Sequence, residues 1–165
     1  RLLFVLSRLS FAQFLIFFPA VISIAFAFSA ALGNGVIGYP AGEWFYKFLD
    51  PICHQFPTLS FWVSGHPLGL CARCTGGYIG VAAGVLLVGP LIEKFGALKI
   101  YSVTVTIFLV CILEALIHPS DDNVWRAVSG FFGGVGAALT FACLIHALAK
   151  AVSSFRMKSN DKIVK

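Results

Sequence analysis

The sequence predicts an all-α, polytopic membrane protein: four transmembrane helices with a long outer loop between the first and second. Three observations predict it. Hydrophobic residues make up 59% of the 165-residue chain and charged residues 12%, against about 25% charged in a soluble domain. So little charge cannot cover a water-facing surface. Apolar runs recur four times, at about 9–32, 74–90, 98–117 and 124–149, each close to the ~20 residues that cross a hydrocarbon core. Glycine, proline and mixed charge gather between the runs, above all in the segment 33–73. By length the chain is a single domain, 1–165.

The first run follows Arg1 and Arg8 and exceeds the ~7–15 apolar residues of a signal peptide, so it reads as a retained helix, kinked at Pro19. Gly33, Gly35, Gly38 and Pro40 then break helix, and Glu43-Trp44-Phe45-Tyr46-Lys47-Phe48 has the mixed aromatic and charged character of the headgroup zone. That cluster predicts a short interfacial helix ending before Pro51. The second run carries Gly76, Gly80 and Gly84 on one face, and the fourth carries Gly130, Gly134 and Ala138 at the same interval. Small residues four apart let helix backbones approach closely, so the second and fourth spans should form the tight pair. Four glycine-rich helices enclose little volume, which suits an accessory subunit of a larger membrane complex.

Basic residues set the expected orientation. With the N-terminus cytoplasmic, Arg1, Arg8, Lys94, Lys99 and the tail residues Lys150, Arg156, Lys158, Lys162 and Lys165 lie inside; Lys47, Arg73 and Arg126 lie outside. This nine-to-three division satisfies the positive-inside rule. It predicts a multi-pass cell-membrane protein with both termini cytoplasmic and a basic cytoplasmic tail at 150–165. The net charge of +5 is placed to meet anionic lipid rather than nucleic acid, for which no basic stripe interleaved with aromatics is present.

Chemistry concentrates in the outer segment. Cys53-His54 precedes Cys71-x-x-Cys74 by about 17 residues. The second cysteine pair sits where a helix begins, and there free backbone N–H groups and the dipole favour a thiolate. Arg73, between the two, adds positive potential. Cys53, His54, Cys71 and Cys74 supply three sulfurs and one nitrogen, a set suited to tetrahedral zinc or another soft divalent metal. Adjacent residues rarely both reach one ion, so His66 is an alternative fourth ligand; an exposed loop imidazole is its other reading. A structural disulfide or buried thiols remain the plain alternative for the cysteine pair. Glu114 and His118 stand four apart on the third span, near its outer end; ligand, proton acceptor and structural pair are all open to them. Cys111, Cys143 and His146 read as packing residues, although a lone helix histidine also suits a haem or chlorin.

Two resemblances follow from these motifs. The layout resembles the DsbB and vitamin K epoxide reductase families, four-helix membrane oxidoreductases with an outward cysteine pair at a helix start and a quinone beside it. The loop from His118 to Asn123 contains no cysteine, so the second cysteine pair of DsbB is missing here. At the motif itself, Ile52-Cys53-His54-Gln55-x-Pro57 … Leu70-Cys71-Ala72-Arg73-Cys74-Thr75-Gly76-x-Tyr78-x-Gly80 resembles the uncharacterised prokaryotic membrane-protein family called domain of unknown function 2085. The likeness runs from Cys53 to about Gly136 and includes Arg126-x-x-x-Gly130. That family usually has Pro-Glu-Arg-Ser where this chain has Pro57-Thr58-Leu59-Ser60, and an Asp and a Gln where it has Glu114 and His118. The resemblance implies a membrane fold and a shared site. Two functional expectations result: an outward-facing, zinc-like Cys/His centre, or a thiol–disulfide oxidoreductase coupled to a quinone.

Overall fold

The computed structural model describes residues 11–32, 41–117 and 122–163. Four of its helices are long and apolar enough to cross a membrane. Helix α1 (Phe11–Leu32) runs unbroken through Pro19, and α2 is the short helix Ala41–Leu49. A 3-10 turn (Pro57–Leu59) leads into strands β1 (Ser60–Val63) and β2 (His66–Cys71). Helices α3 (Ala72–Phe95), α4 (Ala97–Ile117) and α5 (Asn123–Ile163) complete the chain. The architecture is the expected polytopic helical one.

Three features depart from the expected boundaries. The segment between the first two spans contains an antiparallel hairpin as well as a helix: Val63 pairs with His66, Trp62 with Pro67 and Ser60 with Cys71. Ser64 and Gly65 form its two-residue loop at φ 52° and 79°, left-handed values that match the twist of the flanking strands. The second span continues through Pro90 to Phe95, because neighbouring helices in a membrane tolerate a proline that would break a water-exposed helix. The last helix runs 41 residues to Ile163; no Gly or Pro follows Gly136 to stop it. At 1.5 Å per residue it is about 60 Å long, about twice the hydrocarbon core.

The extensive helix contacts run α1–α3, α3–α5 and α5–α4; α3 and α4, though consecutive, touch little. Glycine explains the central contact. A Cβ on Gly80 would lie 2.1 Å from the Phe131 carbonyl oxygen, and one on Gly134 would lie 2.1 Å from that of Gly77. The backbones themselves are in touch, as the matching stripes predict. Gly76 and Gly130 repeat the arrangement one turn nearer the cysteines, against Ala127 and Arg73. Helix α4 lies at the edge, with Leu98, Leu113 and Leu116 exposed to the surroundings, which for a membrane protein are the lipid chains.

A buried core cluster sits at the cysteine end. Ala27, Leu49, Cys53, Leu70 and Cys71 form one buried cluster, with Phe26, Cys74 and Tyr78 packed against it. Strand β2 is buried over Leu68–Cys71, because it threads between α1 and α2. There a Cβ on Gly69 would meet Leu49 at 2.9 Å and Ala30 at 3.0 Å.

Candidate metal centre

Each cysteine of the site is delivered by a different local device. Helix α2 ends at Leu49, whose carbonyl accepts the N–H groups of Ile52 (3.0 Å) and Cys53 (3.1 Å). This turn swings Cys53 back beneath the helix. Cys71 is the last residue of β2 and the N-cap of α3; its backbone is extended (φ −63°, ψ 159°) and its sulfur accepts the Cys74 N–H. Cys74 follows one turn into α3. Thr75 closes the junction by donating its hydroxyl to the carbonyl of Cys71, 3.1 Å away.

The three sulfurs lie within 4.8 Å of one another. Cys53 and Cys71 are buried and Cys74 is partly so. No two of the three are joined, since all five cysteines of the chain are free thiols. Sulfurs sharing one tetrahedral zinc at about 2.3 Å stand about 3.8 Å apart, so only a small contraction separates this arrangement from a coordinating one. Backbone donors already serve it: the Cys71 N–H reaches Cys53 Sγ at 3.2 Å, and the Cys74 N–H reaches Cys71 Sγ at 3.5 Å. Hydrogen bonding with Cys53 and then Cys74 holds the Cys71 thiol well below its ordinary range. The same bond to Cys71 is the main reason that the Cys53 thiol is pushed up. Cys71 is also the thiol at the helix start, where the dipole favours a negative charge.

The other expected ligands are not part of this group. His54 is exposed; its Nδ1 accepts the Phe56 N–H at 3.2 Å, and its ring stacks on Phe56 with centroids 4.6 Å apart. Its role here is to order the turn after Cys53. His66 opens β2, five residues from Cys71, which at strand rise is about 16 Å. It cannot reach the sulfurs. Arg73 faces away from them: its Nη2 lies 3.3 Å from Glu114 Oε2. Trp125 Nε1 donates to Glu114 Oε1 at 3.0 Å. Glu114 therefore joins α3, α4 and α5 at their common end, where it forms an ion pair with Arg73. His118 lies outside the described residues, and so does the side chain of His146. Cys143 packs with Val88, Ile100 and Leu139 in a second buried cluster.

Several residues that hold the site escaped the sequence reading. Gln55 adopts a left-handed backbone (φ 51°) and donates its amide to the Tyr46 carbonyl at 2.7 Å. The Tyr46 hydroxyl in turn donates to the Pro67 carbonyl. These two bonds clasp the Cys53 turn to α2, and α2 to the strand that carries Cys71. Asn123 Nδ2 donates to the carbonyls of Thr58 (3.3 Å) and Ser60 (3.2 Å), tying the hairpin to the start of α5. The Cys53-His54-Gln55 triplet could have signalled the first bond, since a polar amide beside a site cysteine needs a partner.

Comparison with known proteins supports the same segment. No solved structure matches the chain. An uncharacterized protein of Methanocaldococcus jannaschii is 44% identical over 55 residues, 33% of this chain and 35% of that one. The chain thus spans about a third of that relative's length. An uncharacterized protein of Methanothermobacter thermautotrophicus is 29% identical over 103 residues, covering 58% of this chain and 88% of the relative. A family described as a predicted membrane protein, DUF2085, matches residues 53–140. The match starts at Cys53, takes in Cys71 and Cys74, and ends within α5, past Gly134. It bears out the resemblance read from the two cysteine motifs, and the chain belongs to the DUF2085 family of predicted membrane proteins.

Proposed function

We propose that Cys53, Cys71 and Cys74 bind one zinc-like metal ion on the extracytoplasmic side, and that the ion locks the outer segment onto the helices. The observation that carries this reading is the convergence of three sulfurs within 4.8 Å of one another at the N-terminus of α3. Three thiolates suit a soft divalent ion, and the N–H groups of Cys71 and Cys74 offset part of the negative charge that they bring together. A fourth position is left for water, a substrate or a group from another subunit. The ion would join the turn after α2 to the junction of β2 and α3, which is 18 residues further along the chain. An accessory role in a larger membrane complex fits this stabilising task. The outward orientation rests on the division of basic residues between the two ends of the spans.

Elemental analysis of the protein purified in a mild detergent, with thiol counts before and after chelation, tests the proposal. One ion per chain, with three thiols that become reactive only after chelation, is the expected result. Metal-free protein whose three thiols react at once would overturn it.

A second reading is favoured by one observation, that Cys71 and Cys74 stand one turn apart at the start of α3 with the Cys74 N–H donating to Cys71 Sγ, which favours the Cys71 thiolate. Here Cys71 and Cys74 would cycle between dithiol and disulfide, giving two electrons and two protons to a quinone. In that case Cys71→Ser would leave Cys74 able to trap mixed disulfides with a partner protein, which a metal ligand would not do.

A further inference from the structure

The end of the molecule opposite the cysteines contains a half-open cavity of about 850 Å³. It arises from connectivity. Helix α4 leaves α3 through a single residue, Gly96 (φ +82°), and then packs along α5 rather than α3. The gap left at the turn is walled by Ile92 of α3, Leu98 and Tyr101 of α4, and Cys143 and Leu144 of α5, with Lys99 at its edge.

We propose that this cavity binds one anionic phospholipid, an acyl chain inside and the phosphate against Lys99 and Lys94. Position supports an amphiphile. The apolar spans end at Phe95 and Ile145, and the third begins at Ala97, so the cavity straddles the border between hydrocarbon and headgroups. Its volume lies within the ~300–1,000 Å³ of small-molecule sites, and its lining is apolar apart from Lys99 and the Tyr101 hydroxyl. Charge supports an anionic head. Lys94 and Lys99 are both exposed at this turn, and Lys94 Nζ sits 5.2 Å from the centre of the Phe95 ring. Glu93, the single acid between residues 89 and 102, does not line the cavity. A neutral quinone head would make no use of two ammonium groups. The basic bias that assigns this end to the cytoplasm also places it in the leaflet where anionic lipids are concentrated.

The test is lipid retention by the whole chain purified in a neutral detergent. Equimolar phosphatidylglycerol and phosphatidylcholine with identical chains are offered together, oleate is offered in a parallel sample, and bound lipid is counted by native mass spectrometry. The expected preference for phosphatidylglycerol is about tenfold or more, since two lysines near the surface contribute to it. Replacing both Lys94 and Lys99 by Gln should bring the two phospholipids to parity. Ala147→Trp, at an exposed position on the cavity wall, should reduce retention of both; Leu144→Phe serves the same purpose if the first variant is not monodisperse. Equal retention of the two phospholipids by the unmodified chain would overturn the proposal. So would unchanged retention in the cavity-filling variant, or binding of oleate in place of phospholipid.

Discussion

Helix α3 meets the rest of the molecule on two opposite faces, and they are built on different principles. Gly76, Gly80 and Gly84 lie roughly half a turn from Cys71, Cys74 and Tyr78 at 3.6 residues per turn. On the glycine face, carbonyl oxygens of α5 occupy the places where the β-carbons of Gly76 and Gly80 would be, and the Ala138 β-carbon closes on Gly84. On the cysteine face, α1, α2 and β2 are held by buried side chains, N–H···S bonds and the clasp of Gln55, Tyr46 and Pro67. One face is fixed by what is absent, since any side chain would separate the helices. The other is fixed by polar groups that a bound ion would draw tighter. The contact that tolerates no side chain and the three thiols thus lie on different faces of one helix, so the close α3–α5 pair carries the sulfurs that face α1, α2 and β2.

The largest effect should come from the glycine face. Gly80→Leu and Gly134→Leu push against backbone rather than side chain, so each should reduce stability by about 3 kcal/mol or more, the upper end of overpacking costs. Better helix propensity returns only about 1 kcal/mol. Gly89→Leu, where an added Cβ meets nothing within 4 Å, is the control and should lose no stability, gaining up to about 1 kcal/mol from helix propensity. Thermal unfolding in detergent measures all three.

The cysteine face should respond through metal rather than through packing. Replacing Cys53, Cys71 or Cys74 by Ser should weaken metal binding by about 100-fold or more, beyond the ~10–100-fold lost when only a supporting partner is removed. The three single variants should lose nearly as much as the triple variant, because the ligands act together. Acid should act in the same direction. The Cys53 thiol, raised above its ordinary pKa, and the Cys74 thiol must each release a proton on binding, so affinity should fall by up to about 100-fold for each unit that pH falls. Competition titration with a chromophoric chelator between pH 8 and pH 6 reads both effects.

Smaller effects sharpen the boundary between the faces. Glu114→Gln removes the partner of a partly buried Arg73 and should destabilise by about 1–3 kcal/mol, less than a fully buried pair would cost because both side chains keep some exposure. Metal content should not change, since Glu114 serves the helix end and not the thiols. His66→Ala should leave both stability and metal binding within about 0.5 kcal/mol of the parent. A large metal loss in either variant would join the two faces into one site.

The spans were legible in the sequence because twenty apolar residues have few alternatives, and the α3–α5 contact was legible because small residues four apart mark one helix face. The three thiols were legible by residue type and by the helix start at Cys71. The hairpin was not: its strands have four and six residues, and Pro67 weakens the pattern. Ser64-Gly65 between Phe61-Trp62-Val63 and Leu68 was the signal available. The partner of Arg73 was hidden for another reason. Which face of α4 turns toward α3 depends on both helices packing against α5, and no local spacing encodes that. His54 looked like a ligand by chemistry, but its neighbour Cys53 turns inward, and adjacent side chains leave an irregular turn in different directions.

The claim at the centre of this account is that three sulfurs share one ion. X-ray absorption at the metal edge of the purified protein tests it most directly. A shared ion gives three sulfur scatterers at about 2.3 Å, with the signal lost in the Cys71→Ser variant. A first shell of oxygen and nitrogen alone, or a Cys71–Cys74 disulfide in place of any metal, would contradict it.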